Sequence, residues 1–126
     1  MQDLWASMEK GVRLGRSDTP EEIQKKLARD PDLFLVAEEN NKIVGTVIGG
    51  FDGRRGLLYH LAVDASFRGK GIGSRLMEEI ESRLRAKGCL RCYLMVLVDN
   101  VEAMRYYDNH GWESIDHVIT YAKNLT

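Results

Sequence analysis

With 126 residues, 44% of them apolar, this chain is long enough for one domain over residues 1–126 with a single core, and too short for a second lobe. Its 18 basic and 19 acidic side chains nearly cancel, which leaves no electrostatic footprint for nucleic acid or an anionic membrane. The opening MQDLWASMEK puts charges where a secretory leader needs its apolar run, and nowhere do ~20 uncharged residues follow one another, so a cytoplasmic protein is expected.

In chain order, Leu4, Trp5, Met8 and Val12 recur at helical spacing and predict a short helix over residues 2–14 that Gly15 closes. Thr19-Pro20-Glu21-Glu22 reads as a second helix start, with Thr19 as N-cap, Pro20 at the first helical position and Glu22 completing a capping box. That helix buries Ile23 and Leu27 and stops before Pro31. The period then changes. Residues 33–38 and 43–51 are β-rich runs joined by Asn40-Asn41, a good hairpin turn, and a loop over 52–56 leads to a third run over 57–63. Gly49-Gly50 marks either a bulge or a close backbone approach.

A helix over residues 71–87 follows, with Ile72, Leu76, Ile80 and Leu84 on one stripe and Gly88 as its C-cap. Residues 91–98 read as a strand buried on both faces, which makes a βαβ crossover with the third run and a parallel pair. Asp99 caps a further helix closed by Gly111, and the tail carries β-leaning pieces around Ser114 and over 118–122. The fold class is α+β: a mixed sheet, antiparallel early and parallel at its central pair, with helices on both faces.

The stretch over residues 57–87 organises the rest. Gly69, Gly71 and Gly73 fall where strand hands over to helix, so main-chain N–H groups can approach a ligand with no side chain in the way. The positive end of the following helix points at the same place, which suits a phosphate or diphosphate. A plain connecting turn needs one glycine, not three. A Rossmann site wants G-x-G-x-x-G after the first strand of a repeated βαβ unit, whereas this chain has G-x-G-x-G after an antiparallel run. Cys89-x-x-Cys92 lacks a second ligand pair for zinc, and Cys92 falls inside a strand where a thioredoxin-like pair would open a helix. Two plain thiols and no metal are expected.

Arg68-Gly69-Lys70-Gly71-Ile72-Gly73 resembles the R/Q-x-x-G-x-G/A signature of the GNAT-fold N-acetyltransferases, in the right context between strand and helix. Asn100-x-x-Ala103-x-x-x-Tyr107-x-x-x-Gly111-Trp112 resembles the family's second signature, with Trp in the final aromatic place. FLVAEENNKIVGTVIGGFDG is similar to the small bacterial YpeA-type members. The resemblance implies acetyl-coenzyme A in a cleft where the central parallel strands splay. Its diphosphate would lie on the amides from Arg68 through Gly69, Lys70, Gly71, Ile72 and Gly73 to Ser74. Its pantetheine would pair along Leu61, Ala62 and Val63, with Asn100, Ala103 and Tyr106 also in contact. By the same resemblance Tyr107 protonates the leaving thiolate as general acid, and Tyr59 stands on the acceptor side. A bulge at residues 61–63 would free an N–H to polarise the thioester carbonyl.

Two departures follow. Many family members carry a glutamate on a central strand as general base, but Met95 holds the matching place on the later strand, and the earlier one offers Leu57, Tyr59 and Leu61 on one face. Water, Tyr59, His60 and Asp52 stand as substitutes. The family also opens with a strand before its first helix, whereas this sequence begins at what reads as that helix, so that either the start is truncated or the edge is covered otherwise; an uncovered sheet edge fits a homodimer as well as a monomer. The expected function is direct acetyl transfer from acetyl-coenzyme A to a primary amine, on a small molecule or a peptide N-terminus. The rival is a non-catalytic module that binds the same cofactor or a partner. Arg54-Arg55 reads as a solvated loop or an acceptor contact.

Overall fold

The computed structural model describes residues 19–126, apart from the side chain of His60. The helix expected over residues 2–14 lies outside the described residues. Helix α1, Pro20–Arg29, starts as the sequence requires: the Thr19 hydroxyl accepts from the Glu22 N–H at 3.4 Å, and proline occupies the first turn. The Glu22 carboxylate turns to Lys25 instead of back to the cap, at 2.8 Å. The chain leaves α1 through a 3-10 turn, Pro31–Leu33, which buries Leu33 completely, so the first strand begins one residue later than expected.

Strands β1, Phe34–Glu39, and β2, Lys42–Phe51, form a hairpin whose two loop residues, Asn40 and Asn41, have φ of 53° and 63°. Positive φ at both central positions is what a tight hairpin turn with matching twist demands, and asparagine tolerates it. Strand β3, Gly56–Val63, continues the meander antiparallel to β2, and β4, Cys92–Leu94, adds on parallel to β3, giving the order β1-β2-β3-β4. Helix α2, Ile72–Ala86, makes the crossover between β3 and β4. It ends in a paired cap: the Gly88 N–H reaches the Arg85 carbonyl at 3.0 Å and the Cys89 N–H reaches that of Leu84 at 3.0 Å, with Gly88 at φ 91°.

The two faces of the sheet carry separate apolar clusters. Leu33, Val47 and Leu58 pack with Leu76, Met77, Ile80 and Leu84 of α2 on one face; Phe34, Ile48 and Ala62 pack with Ile23 of α1 on the other. Gly49 marks a close approach and not a bulge: a Cβ there would lie 3.0 Å from one Ile80 carbon and 3.1 Å from another. Ile80 is fully buried and has no room to yield. Gly49→Val should therefore cost about 1 to 3 kcal/mol by overpacking. A lower urea midpoint at constant slope would show it, and an unchanged midpoint would mean that α2 rides up freely.

Three expectations change. The later central strand has three residues, not eight; after Leu94 the chain leaves the sheet, with Met95 63% and Val98 91% exposed. A run of apolar residues without alternation marks a strand buried on both faces, but it equally marks a segment that lines an apolar cleft. Helix α3, Val101–Asp108, is capped by Asn100 and not Asp99, the Asn100 side chain accepting from the Ala103 N–H at 3.2 Å. No strand occurs over residues 112–126; Val118, Ile119 and Tyr121 stand exposed there, and the Thr120 hydroxyl meets the Met95 sulfur at 3.8 Å.

Candidate functional site

Strands β3 and β4 pair only as far as Leu58 and Leu94. Beyond that rung β3 continues to Val63 while the chain after Leu94 swings away, and a cavity of about 180 Å³ opens at the parting. Its walls come from four elements: Leu58, Tyr59 and Leu61 of β3; Gly73 and Met77 of α2; Leu94, Met95 and Val96; and Asn100, Ala103, Tyr106 and Tyr107 at α3.

The irregularity expected at residues 61–63 lies slightly earlier. Thr46 pairs with Ala62 and Ile48 with Tyr59, so His60 and Leu61 together oppose Val47. This extra residue reverses the parity of β3. Leu58 and Leu61 both pack toward α2, whereas Tyr59 and Ala62 face the α1 side, so Leu61 does not share a face with Tyr59 as simple alternation implies. The reversal brings Leu61 to the cavity and sends Ala62, 2% exposed, into the α1-side core. Val63 is turned toward Gly73, whose Cβ, if present, would lie 3.6 Å from it.

At the head of α2 the chain passes through Gly69 and Gly71, with φ of 79° and 81°, a left-handed conformation that strains any residue with a Cβ. Gly71 is the N-cap position and supplies no side-chain cap. Among the described residues no protein acceptor meets the N–H groups of Gly69, Lys70, Gly71, Ile72, Gly73 or Ser74. The helix therefore presents its unsatisfied first-turn donors and positive dipole end next to the cavity. Flanking side chains are anchored elsewhere: Arg68 Nε donates to the Val63 carbonyl at 3.1 Å, and Lys70 Nζ sits 5.2 Å from the Phe67 ring centre. The Val63 carbonyl thus already accepts one hydrogen bond.

Both tyrosines of α3 reach the cavity, although adjacent helical residues diverge by ~100°. The Tyr106 hydroxyl meets the Ser74 hydroxyl at 3.0 Å, and its ring stacks on His110 at 4.0 Å. Tyr107 turns inward, edge-on to Trp112 at 5.8 Å and to Tyr106 at 5.4 Å. Burial, with a smaller contribution from Tyr106, pushes the Tyr107 phenol up to about 12, so it keeps its proton throughout the neutral range. Asn100, which lines the cavity, spends its side-chain oxygen on the helix cap, so its amide nitrogen is the side-chain group left to donate.

No carboxylate or imidazole lines the cavity among the described side chains. Asp52, one of the substitutes for the general base, sits in the β2–β3 loop at the other end of the strand. Its carboxylate accepts from the N–H groups of Arg55 and Arg54 at 2.8 Å each, and these hold it below the usual carboxylate range. That makes it a loop staple and a poor base. The His60 side chain lies outside the described residues, and Tyr59 lines the cavity from the α1 side. Cys89 is buried with its thiol directed at the Arg91 carbonyl at 3.3 Å, and burial pushes the Cys92 thiol up, the reverse of an activated nucleophile. No group of three or more metal-binding side chains occurs among the described residues, and no helix there is long and apolar enough to cross a membrane.

A mixed sheet whose parallel pair parts beside an uncapped helix head is the GNAT arrangement, and the chain belongs to the Acetyltransferase (GNAT) family, whose pattern matches residues 1–112. It is 46% identical over 109 residues to the acetyltransferase ECA0875 of Pectobacterium atrosepticum, across 86% of this chain and 77% of that one. Among solved structures it is similar to Ard1 from Thermoplasma volcanium, at 27% identity and a TM-score of 0.74 over 86% of this chain and 71% of that one. The PaiA N-acetyltransferase of Thermoplasma acidophilum, solved with coenzyme A, shares the fold at 24% identity and a TM-score of 0.72, covering 79% and 65% of the two chains.

Proposed function

We propose that this acetyltransferase moves the acetyl group of acetyl-coenzyme A onto a primary amine by direct attack in a ternary complex. The observation that carries the reading is the meeting of three features: unpaired N–H groups at the head of α2, the opening between β3 and β4, and a protonated Tyr107 on its wall. Bound acetyl-coenzyme A supplies an activated acyl group and a sulfur leaving group.

The chain's own residues do the rest. The N–H groups from Gly69 to Ser74 hold the diphosphate, as helix heads do. The edge of β3 along Leu61 to Val63 offers main-chain groups that β4 does not cover, and an extended pantetheine arm adds there like a strand, with Asn100 donating from across the opening. The bulge at His60 and Leu61 takes main-chain groups out of the ladder at the height where a carbonyl needs polarising. Ala103 and Tyr106 pack the arm from α3, and Tyr59 borders the amine.

Tyr107 faces the departing sulfur. Against an ordinary thiol at about 8.5, a phenol at about 12 gives up its proton uphill by roughly three and a half units. It therefore acts first as a hydrogen-bond donor to the developing thiolate and as a proton source second. With no carboxylate on the wall among the described residues, the amine sheds its proton to water or past Tyr59.

The reading is tested by following free thiol when the protein is mixed with acetyl-coenzyme A and a panel of amines. Thiol release that depends on one class of amine is the expected result. Cofactor binding by calorimetry without release on any amine would instead favour the non-catalytic module.

A further inference from the structure

On the α1 face, immediately before the strands part, the sheet carries an exposed floor. Leu57 and Tyr93 are direct partners across β3 and β4, and over Gly50, opposite Leu57 on β2, reaches the ammonium of Lys26, which is paired with Asp30 at 2.8 Å. Three exposed arginines rim this floor: Arg54 and Arg55 from the β2–β3 loop, and Arg91 from the approach to β4. The Arg55 and Arg91 guanidiniums lie 5.6 and 5.5 Å from the Tyr93 ring centre. Among the described residues none of the three forms an ion pair. The Asp52 carboxylate of the same loop is engaged by main-chain N–H groups and feels the charge of Arg54. In a chain of net charge −1, this is a local excess of positive charge on a flat aromatic base.

Resting on the reading of this protein as an acetyltransferase, we propose that Arg55 and Arg91, with Arg54, bind a carboxylate of the acceptor, and that the enzyme selects acidic amines. Tyr59, at the cavity, lies two residues beyond Leu57 on the same face, which is roughly 7 Å of strand. The Tyr93 rung that carries the guanidiniums is therefore set back from Tyr59, which borders the amine in the proposed reading, by roughly 7 Å along the strand. That separation excludes a free α-amino acid used through its own carboxylate, since the two groups are then only ~3 Å apart. It fits a peptide N-terminus with Asp or Glu at the second or third position, or an unbranched ω-amino acid. Planar guanidiniums favour a carboxylate over a diffuse negative charge because they grip it through two parallel hydrogen bonds.

The test compares charged and neutral isosteres. The peptide amides Ala-Glu-Glu and Ala-Gln-Gln form one pair, and 6-aminohexanoate with its amide forms the other. The acidic member should have the higher kcat/KM by about tenfold, the advantage should shrink as salt rises, and it should collapse in the Arg55→Gln/Arg91→Gln double variant. The pair that shows the larger ratio identifies whether a peptide or a small acid is the source of the carboxylate. Equal kcat/KM within both pairs, or a ratio unchanged in the double variant, would overturn the proposal while leaving the acetyltransferase intact. A separate arm measures binding of N-acetylated Ala-Glu-Glu amide by calorimetry. Binding lost in the double variant, with no thiol release from any amine, would keep the carboxylate site and sink the enzymatic reading.

Discussion

Tyr107→Phe should lower kcat about a hundredfold and change acetyl-coenzyme A affinity by less than about twofold. The ring stays in place against Trp112 and Tyr106, so packing survives and only the phenolic donor is lost. Turnover close to wild type would remove Tyr107 from the chemistry. The same variant checks the state of the proton. The folded protein holds it more tightly than the unfolded chain, since burial lifts the phenol from 10.0 to about 12. Stability from that group is thus fully present below pH 10 and is lost as pH climbs through 12. Wild type should lose roughly 2 to 3 kcal/mol over that window that Tyr107→Phe does not lose. Parallel stability curves for the two proteins would show that the phenol titrates normally.

Gly71→Glu should weaken coenzyme A binding at least about a hundredfold by calorimetry. Two effects combine: a Cβ at φ 81° strains the turn, and a carboxylate sits where the diphosphate approaches in the proposed reading. Nothing lies within 4 Å of the position a Cβ would take, so the protein itself has room for the side chain and the fold should persist. Gly71→Asn separates the two effects, because asparagine tolerates a left-handed backbone and brings no charge. It should retain most of the affinity. Undiminished binding in Gly71→Glu would place the diphosphate elsewhere.

The parts of this fold with local chemical causes were legible in the sequence. Thr19-Pro20 starts a helix, Asn40-Asn41 makes a turn, and Gly88 stops α2, each because one residue type satisfies one backbone need. The glycine turn was readable for the same reason, although its reading as a diphosphate site leans on context beyond those residues. Features that depend on what lies across from a residue were not legible. Met95, Val96 and Val98 have the composition of a buried strand, yet among the described residues no strand pairs with them. Gly49 leaves a bulge and a close approach equally open in the sequence, and nothing in its own strand points to Ile80. The parity of β3 departs from simple alternation because the bulge is a property of two strands in register, and its position leaves no mark in one strand's pattern. The arginines around Tyr93 come from segments about 36 residues apart, and only the parallel pairing of β3 with β4 assembles them.

The irregular rung of β3 also makes an unusual experiment available. Two residues, His60 and Leu61, oppose one, Val47, and the inward positions run Gly56, Leu58, then Leu61, Val63. Excising His60 would leave a strand that alternates regularly from end to end while every remaining side chain keeps its own side of the sheet. A shortened chain of that kind keeps the described interior side chains and forfeits the local kink together with the His60 imidazole, so that, with His60→Ala as the control, the contribution of strand shape to turnover becomes separable from that of the core.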